Sequence, residues 1–160
     1  KASTGNLTVE LSACDLNTML AQAVGEYAER FDAAGLTPIL HLPEETVTVS
    51  ADSRHLWRIF ENLMNNICKY ALSGTRVYLD LLKNGNQAIC IFRNISRSEL
   101  TVSPDELTER FVRGDSSRNT EGSGLGLSIA NSLTQLQKGV MTLVVDGDLF
   151  KVQLSFDTVE

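Results

Sequence analysis

Two clusters of residues in this chain could do chemistry, and both point to the same kind of ligand. The first is the run Glu121-Gly122-Ser123-Gly124-Leu125-Gly126-Leu127-Ser128-Ile129-Ala130, where glycines at alternate positions lead into an apolar segment with helical spacing. Glycine permits positive φ and lets a ligand come close to the backbone. The first turn of a helix adds unpaired N–H groups and the positive end of its dipole, so the two elements in series suit phosphate. By itself such a run also serves loops and close helix packing. The second cluster lies upstream, in Glu61-Asn62-Leu63-Met64-Asn65-Asn66-Ile67-Cys68-Lys69-Tyr70-Ala71. On a helix, Asn62, Asn66 and Lys69 fall at i, i+4 and i+7 along one polar edge. Asparagine gains nothing locally in mid-helix. Amide oxygens suit a hard cation such as Mg2+, and a lysine beside them suits phosphate. The plainer alternative is a solvated face of an amphipathic helix.

The elements that must position these residues follow from periodicity and turn chemistry. Leu56, Ile59, Phe60, Leu63, Ile67 and Ala71 recur at helical spacing, predicting a helix over residues 52–72 that ends at Ser73-Gly74. Trp57 on the same helix reads as packing, and Glu61 as a surface carboxylate. A short strand is predicted over 7–11, then a long helix capped by Asp15 that runs to about Ala34 and stops at Gly35. Strands are predicted over 37–42 and 46–50. Residues 75–82 and 87–94 alternate about Asn84-Gly85, a hairpin signal. A helix over 125–137 and a closing hairpin of 140–145 and 149–156 about Asp146-Gly147 complete the chain. The polar stretch 97–122 reads as a cover over the space between the asparagine helix and the glycine run, with residues 116–120 its most polar part. This order gives an α/β fold, a two-layer sandwich with helices packed on one face of a mixed β-sheet.

Together the motifs resemble the ATP-binding catalytic domain of sensor histidine kinases, within the GHKL superfamily shared with gyrase, MutL and a heat-shock chaperone. The asparagine helix is similar to the family's N box. Gly122-Ser123-Gly124-Leu125-Gly126-Leu127 is similar to its second glycine box, G-x-G-L-G-L, and Leu107-Thr108-Glu109-Arg110-Phe111-Val112-Arg113-Gly114-Asp115 to its phenylalanine box. Their order and spacing match, and the resemblance spans nearly the whole chain. It implies a long ATP-lid loop and ATP with Mg2+ as the cofactors. Asn66 would bear the metal, with Asn62 aligning it or the incoming imidazole. Lys69 and Arg113 would hold phosphate charge, with Arg110 the rival of Arg113. Gly122, Gly124, Leu125, Gly126 and Leu127 would wrap the phosphates, and Tyr70 would lie close to the nucleotide.

One element departs from the pattern. The family's first glycine box reads Asp-x-Gly-x-Gly after a strand, with the aspartate accepting from the adenine amino group. Here the strand is followed by Asn94-Ile95-Ser96-Arg97-Ser98. An asparagine oxygen still accepts such a bond, but without the charge that makes it strong. Adenine recognition is therefore assigned to Asn94, and the expectation is nucleotide binding of reduced strength.

Length and composition fit one domain: 160 residues, 42% hydrophobic and 21% charged. A formal charge of −6 argues against non-specific nucleic-acid binding and against direct contact with an anionic membrane. Cys14, Cys68 and Cys90 are scattered and read as reduced thiols, and His41 and His55 lack metal-ligand company. Residues 1–6 resemble the exit from a kinase's dimerisation helix, leaving 7–160 as the catalytic domain. The resemblance thus implies a cytoplasmic fragment of a longer, membrane-anchored kinase. It would pass the γ-phosphoryl of ATP to a histidine on a dimerisation and phosphoacceptor domain absent from this sequence, and thence to a response-regulator receiver domain. Alone it would not autophosphorylate. The altered first glycine box motivates a competing reading, a regulatory GHKL module that has lost productive nucleotide binding and acts through protein contacts. A kinase acting on protein serine is a third reading, which residues 1–7 speak against.

Overall fold

The computed structural model describes residues 8–98 and 125–159, with Leu125 and Gly126 described by backbone alone. In chain order the elements are β1 (Ser12–Asp15), α1 (Leu16–Glu26), α2 (Ala28–Ala33), β2 (Thr37–His41), β3 (Thr48–Ala51), α3 (Ser53–Tyr70), β4 (Arg76–Asn84), β5 (Gln87–Ile95), α4 (Leu125–Leu136), β6 (Val140–Asp146) and β7 (Leu149–Asp157). Five strands form one sheet in the order β2-β4-β5-β7-β6, parallel between β2 and β4 and antiparallel elsewhere. β1 and β3 make a separate antiparallel pair. Helices cover one face of the sheet, so the expected mixed two-layer sandwich is the fold.

Strand alternation explains which face is covered. In β5 the inward row is Ala88, Cys90, Phe92 and Asn94, all buried, while the residues between them keep partial exposure. Register carries this row across the sheet. Leu40 pairs with Leu79, Leu79 with Phe92, Phe92 with Val152, and Val152 with Leu143. On this floor lies α3, whose predicted stripe of Leu56, Ile59, Phe60, Leu63, Ile67 and Ala71 is buried throughout, joined by Met64. The rings of Phe60 and Phe92 meet with centroids 6.0 Å apart. Cys14, Cys68 and Cys90 are free thiols, and complete burial pushes the Cys90 thiol up to about 12, which leaves it unreactive at neutral pH.

Several boundaries differ from the sequence expectation. The first strand is Ser12–Asp15 rather than 7–11, because its register is set by β3: Cys14, buried, pairs with Val49. Asp15 caps α1 as expected, its carboxylate accepting from Thr18 N at 3.0 Å. The long helix is instead two, broken at Tyr27, whose ring turns into the core while its hydroxyl reaches Asn65 Oδ1 at 3.2 Å. Both hairpin turns sit one residue later than expected. Asn84 still pairs with Gln87 and Asp146 with Leu149, so the turn residues are Gly85-Asn86 and Gly147-Asp148. Only the glycines have positive φ, 63° and 61°, which is the type II′ arrangement.

One buried residue, through its carboxylate and its backbone N–H, joins the incoming chain to two helices. Asp52, 1% exposed, caps α3 by accepting from Arg54 N and His55 N. It also accepts from Glu10 N at 2.8 Å and from the Arg54 guanidinium at 3.0 Å. Its own N–H donates to Gln137 Oε1 at 2.7 Å, just beyond the end of α4, and His55 Nε2 donates to Thr8 O at 2.8 Å. The Arg54 guanidinium, with the backbone donors, holds the Asp52 carboxyl well below the usual carboxylate range, although burial opposes this.

A carboxyl depressed in the folded state contributes stability that is present above its unfolded value, near pH 4, and lost as pH falls below it. Asp52→Ala is expected to lower the unfolding free energy by about 2 kcal/mol at pH 7 in urea titrations. The difference from the parent should shrink as pH falls below about 4. A loss that stays constant down to pH 2 would exclude the ionised cap.

Candidate functional site

Helix α3 presents two faces with different tasks. Its apolar stripe is spent on the core, which turns Asn62, Asn66 and Lys69 to the edge of the helix layer. Asn62 and Asn66 are half-buried and Lys69 is exposed. Asn62 Nδ2 is enclosed and finds no hydrogen-bond partner among the described residues. A buried amide without a partner costs on the order of 1–3 kcal/mol, a cost that Asn62 shares among the described residues with Arg93 Nε. Asn65, in contrast, faces α1, where its Oδ1 takes the Tyr27 hydroxyl, and burial raises the pKa of that phenol.

The second helix reaches this edge by running antiparallel to the first. The Asp52–Gln137 contact fixes the C-terminal end of α4 beside the N-terminus of α3, and the two helices pack along each other. The 12 residues of α4, at roughly 1.5 Å each, carry it back about 18 Å, to the level of Asn62 and Asn66. There α4 begins at Leu125, inside the glycine-rich run, so Leu125 and Gly126 lie in its first turn. Leu127, 4% exposed, is buried with Ala130 and Leu133 and anchors that turn. Leu127 is therefore a packing residue, and its own contact with a ligand would fall to its backbone N–H.

The third side is built where α3 ends. Leu72 N donates to Ile95 O at 2.7 Å and Arg97 N to Tyr70 O at 2.9 Å, with Ala71 bridged to Ser96. These bonds strap the last turn of α3 to the end of β5. Tyr70, half-buried, lies under the Arg97 guanidinium, 5.8 Å from its ring centroid. Asn94 ends the inward row of β5 at 5% exposure, and no group hydrogen-bonds its carboxamide among the described residues. Ser96 follows on the same side at 8% exposure, its Oγ accepting from Ser98 N at 3.3 Å. The structure thus brings Asn62, Asn66, Lys69, Tyr70, Asn94 and the start of α4 to one end of the helix layer. Arg110, Arg113, Gly122, Gly124 and all but the first two residues of the expected lid over 97–122 lie outside the described residues.

Sequence reasoning passed over two contributors. Ser96 counted only as a lost glycine, yet β5 alternation continued two residues past Asn94 would have placed it inward. Arg97 had no local signal, since its place over Tyr70 depends on the strap. The donor set also bears on a metal. Among the described residues no cluster of three or more His, Cys, Asp and Glu could hold one. The orphaned carboxamide of Asn62 and the neighbouring Asn66 amide fit Mg2+, which binds through few protein oxygens when substrate phosphates and water complete its shell. Which end of Asn62 meets the shell depends on the amide's orientation, and a half-turn exchanges them.

A mixed sheet beneath two antiparallel helices, with a polar helix edge facing a glycine-rich helix start, defines a nucleotide-binding ATPase domain. The chain belongs to the histidine kinase-, DNA gyrase B-, and HSP90-like ATPase family, which matches residues 51–158. Within that family it is an ATP-binding catalytic domain of the two-component sensor histidine kinase type. It is 32% identical over 148 residues to the probable sensor protein PcoS of Escherichia coli, covering 86% of this chain and 31% of that protein. Its fold matches full-length ShkA in complex with AMPPNP, with a TM-score of 0.80 and 21% identity, over 99% of this chain and 34% of that one. It also matches histidine kinase ThkA in complex with response regulator protein TrrA, with a TM-score of 0.78 and 12% identity, over 94% of this chain and 42% of that one. The chain thus spans about a third of the length of the curated relatives it matches. Among the described residues no helix is long and apolar enough to cross a membrane.

The two asparagine environments separate in a stability measurement without ligand. Asn62→Leu should raise the unfolding free energy by about 1 kcal/mol, because it removes an unsatisfied donor and improves helix propensity. Asn65→Leu should lower it by about 0.5–1 kcal/mol, because it removes the shorter of the two hydrogen bonds made by the Tyr27 hydroxyl and leaves only the longer one to Glu61 O, at 3.4 Å. Equal losses in both variants would remove the distinction.

Proposed function

We propose that this chain is the catalytic domain of a sensor protein-histidine kinase, and that it presents the γ-phosphoryl of ATP to a histidine on a separate dimerisation domain. The observation that carries this reading is the meeting, at one end of the helix layer, of the Asn62–Asn66–Lys69 edge, the start of α4 and the buried Asn94. Phosphoryl transfer needs little covalent chemistry from the protein, which mainly positions the phosphates and offsets their charge. Asn66 would hold Mg2+, with Asn62 aligning its shell or the incoming imidazole. The metal would neutralise phosphate charge and hold the nucleotide oxygens in register. Lys69, free at the exposed end of the row to follow the phosphate chain, would add a point charge, and Arg113 is assigned a second. The backbone from Gly122 to Gly126, with Leu125 and Leu127, would wrap the phosphates. Tyr70 would flank the base, and Asn94 would meet its edge.

The proposal extends to the whole protein. ShkA was solved with an ATP analogue and ThkA with a response regulator, which supports a nucleotide and a receiver domain as partners. The relatives are sensor proteins about three times as long, which supports a cytoplasmic domain of a membrane-anchored kinase, preceded by the dimerisation helix that residues 1–6 would leave. The competing regulatory reading draws on one observation, the buried Ser96 side chain where the family has a glycine.

Calorimetric titration of ATP and ADP, with and without Mg2+, tests the site. ATP should bind only with Mg2+ at full strength, and Asn66→Ala should weaken that binding by about tenfold or more, a loss of roughly 1.4 kcal/mol. Absence of binding at millimolar nucleotide would favour the regulatory module. With radiolabelled ATP this chain should remain unlabelled. Added dimerisation domain should acquire label that is lost in acid and kept in base, and acid-stable label would exclude histidine.

A further inference from the structure

The two buried polar side chains at the end of β5 share a property that an aspartate-and-glycine pair would lack. An ionised carboxylate only accepts hydrogen bonds, and glycine offers no side chain. Asn94 carries an acceptor and a donor on one carboxamide, and a half-turn about its last side-chain bond exchanges them. Ser96 carries a hydroxyl that both donates and accepts. Its Oγ accepts from Ser98 N at 3.3 Å, which leaves its proton and a second lone pair for a ligand. Both residues lie on the inward side of the strand, 5% and 8% exposed, next to the strap that holds Tyr70 over this end of the sheet. No group among the described residues takes the Asn94 carboxamide, so none of them locks it in one orientation.

These properties decide which base edges can be seated. A 6-aminopurine presents an amino donor beside an unprotonated ring nitrogen, and a 6-oxopurine presents the reverse, a carbonyl acceptor beside an N–H. A carboxylate would set its negative oxygen against the carbonyl of the second and repel it. Specificity is a difference between affinities, and the repulsive element is what makes it large. Here that element is gone, and both side chains can adapt to either edge.

The geometry points to a purine nucleoside triphosphate site that accepts both 6-amino and 6-oxo bases, with Asn94 and Ser96 as the residues that permit it. This rests on the nucleotide-binding reading above and narrows it to a substrate class. Calorimetric titration of this chain with Mg-ATP and Mg-ITP is the test, because inosine differs from adenosine only on the edge in question. The parent should bind the two within tenfold of each other. Asn94→Asp should weaken ITP relative to ATP by a further tenfold or more, with thermal unfolding run in parallel to show that the variant is folded. A parent that binds ATP but takes ITP more than tenfold more weakly overturns this inference and leaves the nucleotide site standing. An unchanged ratio in folded Asn94→Asp also overturns it. If neither nucleotide binds at millimolar concentration, both readings fall. The parent's ratio needs no variant, so the inference stays testable even if the buried carboxylate prevents folding.

Discussion

Burial of one stripe of α3 against the sheet is the constraint on which the rest of this structure depends. Leu56, Ile59, Phe60, Leu63 and Ile67 are almost fully enclosed, and Phe60 packs on Phe92 at the centre of the floor. Each buried side chain of this size contributes roughly 1.5–3 kcal/mol, so rotating the helix out of this seat would cost far more than any polar contact at its edge could return. Helical geometry then leaves no choice about the edge. With the stripe down, residues 62, 66 and 69 must line the margin of the layer. The core therefore orients the site, and the asparagines need no anchor of their own.

The site is completed by bonds between chain segments that are distant in sequence. At one end of α3, Asp52 joins the incoming residues, the helix it caps and the terminus of α4. At the other end, Leu72 and Arg97 tie the last turn to the end of β5. The first junction makes α4 antiparallel and so brings the glycine-rich start beside the asparagines. The second brings Tyr70 to the strand end that carries Asn94 and Ser96. Between them, two junctions of a few hydrogen bonds assemble three separate stretches of sequence around one space.

The readings that succeeded rest on local periodicity. The apolar stripe of α3, the alternation of β4, β5 and β7 and the Asp15 cap are each set within a few residues, and each lies where the spacing placed it. Those that missed involve partners far along the chain. β1 begins at Ser12 because β3 offers its ladder there. The long helix breaks at Tyr27, whose buried ring and hydroxyl meet Glu61 and Asn65 of α3. In both hairpins, Asn84 and Asp146 belong to the ladder and the glycine opens the turn, since pairing across the strands decides which two residues are left over. Asn62 and Asn65 differ in role although they are the same residue type on the same helix, because only Asn65 points toward α1.

By itself, then, the sequence determined the fold class, the family and the residue types of the site. Periodicity and glycine placement are properties of short stretches, and three ordered motifs are readable without coordinates. Only the tertiary structure decided that α4 runs back along α3, that Leu127 is spent on packing, and that Asn94 is buried with no partner among the described residues and Ser96 beside it. These depend on hydrogen bonds and burial between segments up to 85 residues apart, and no local pattern encodes which distant group fills a donor or leaves it open.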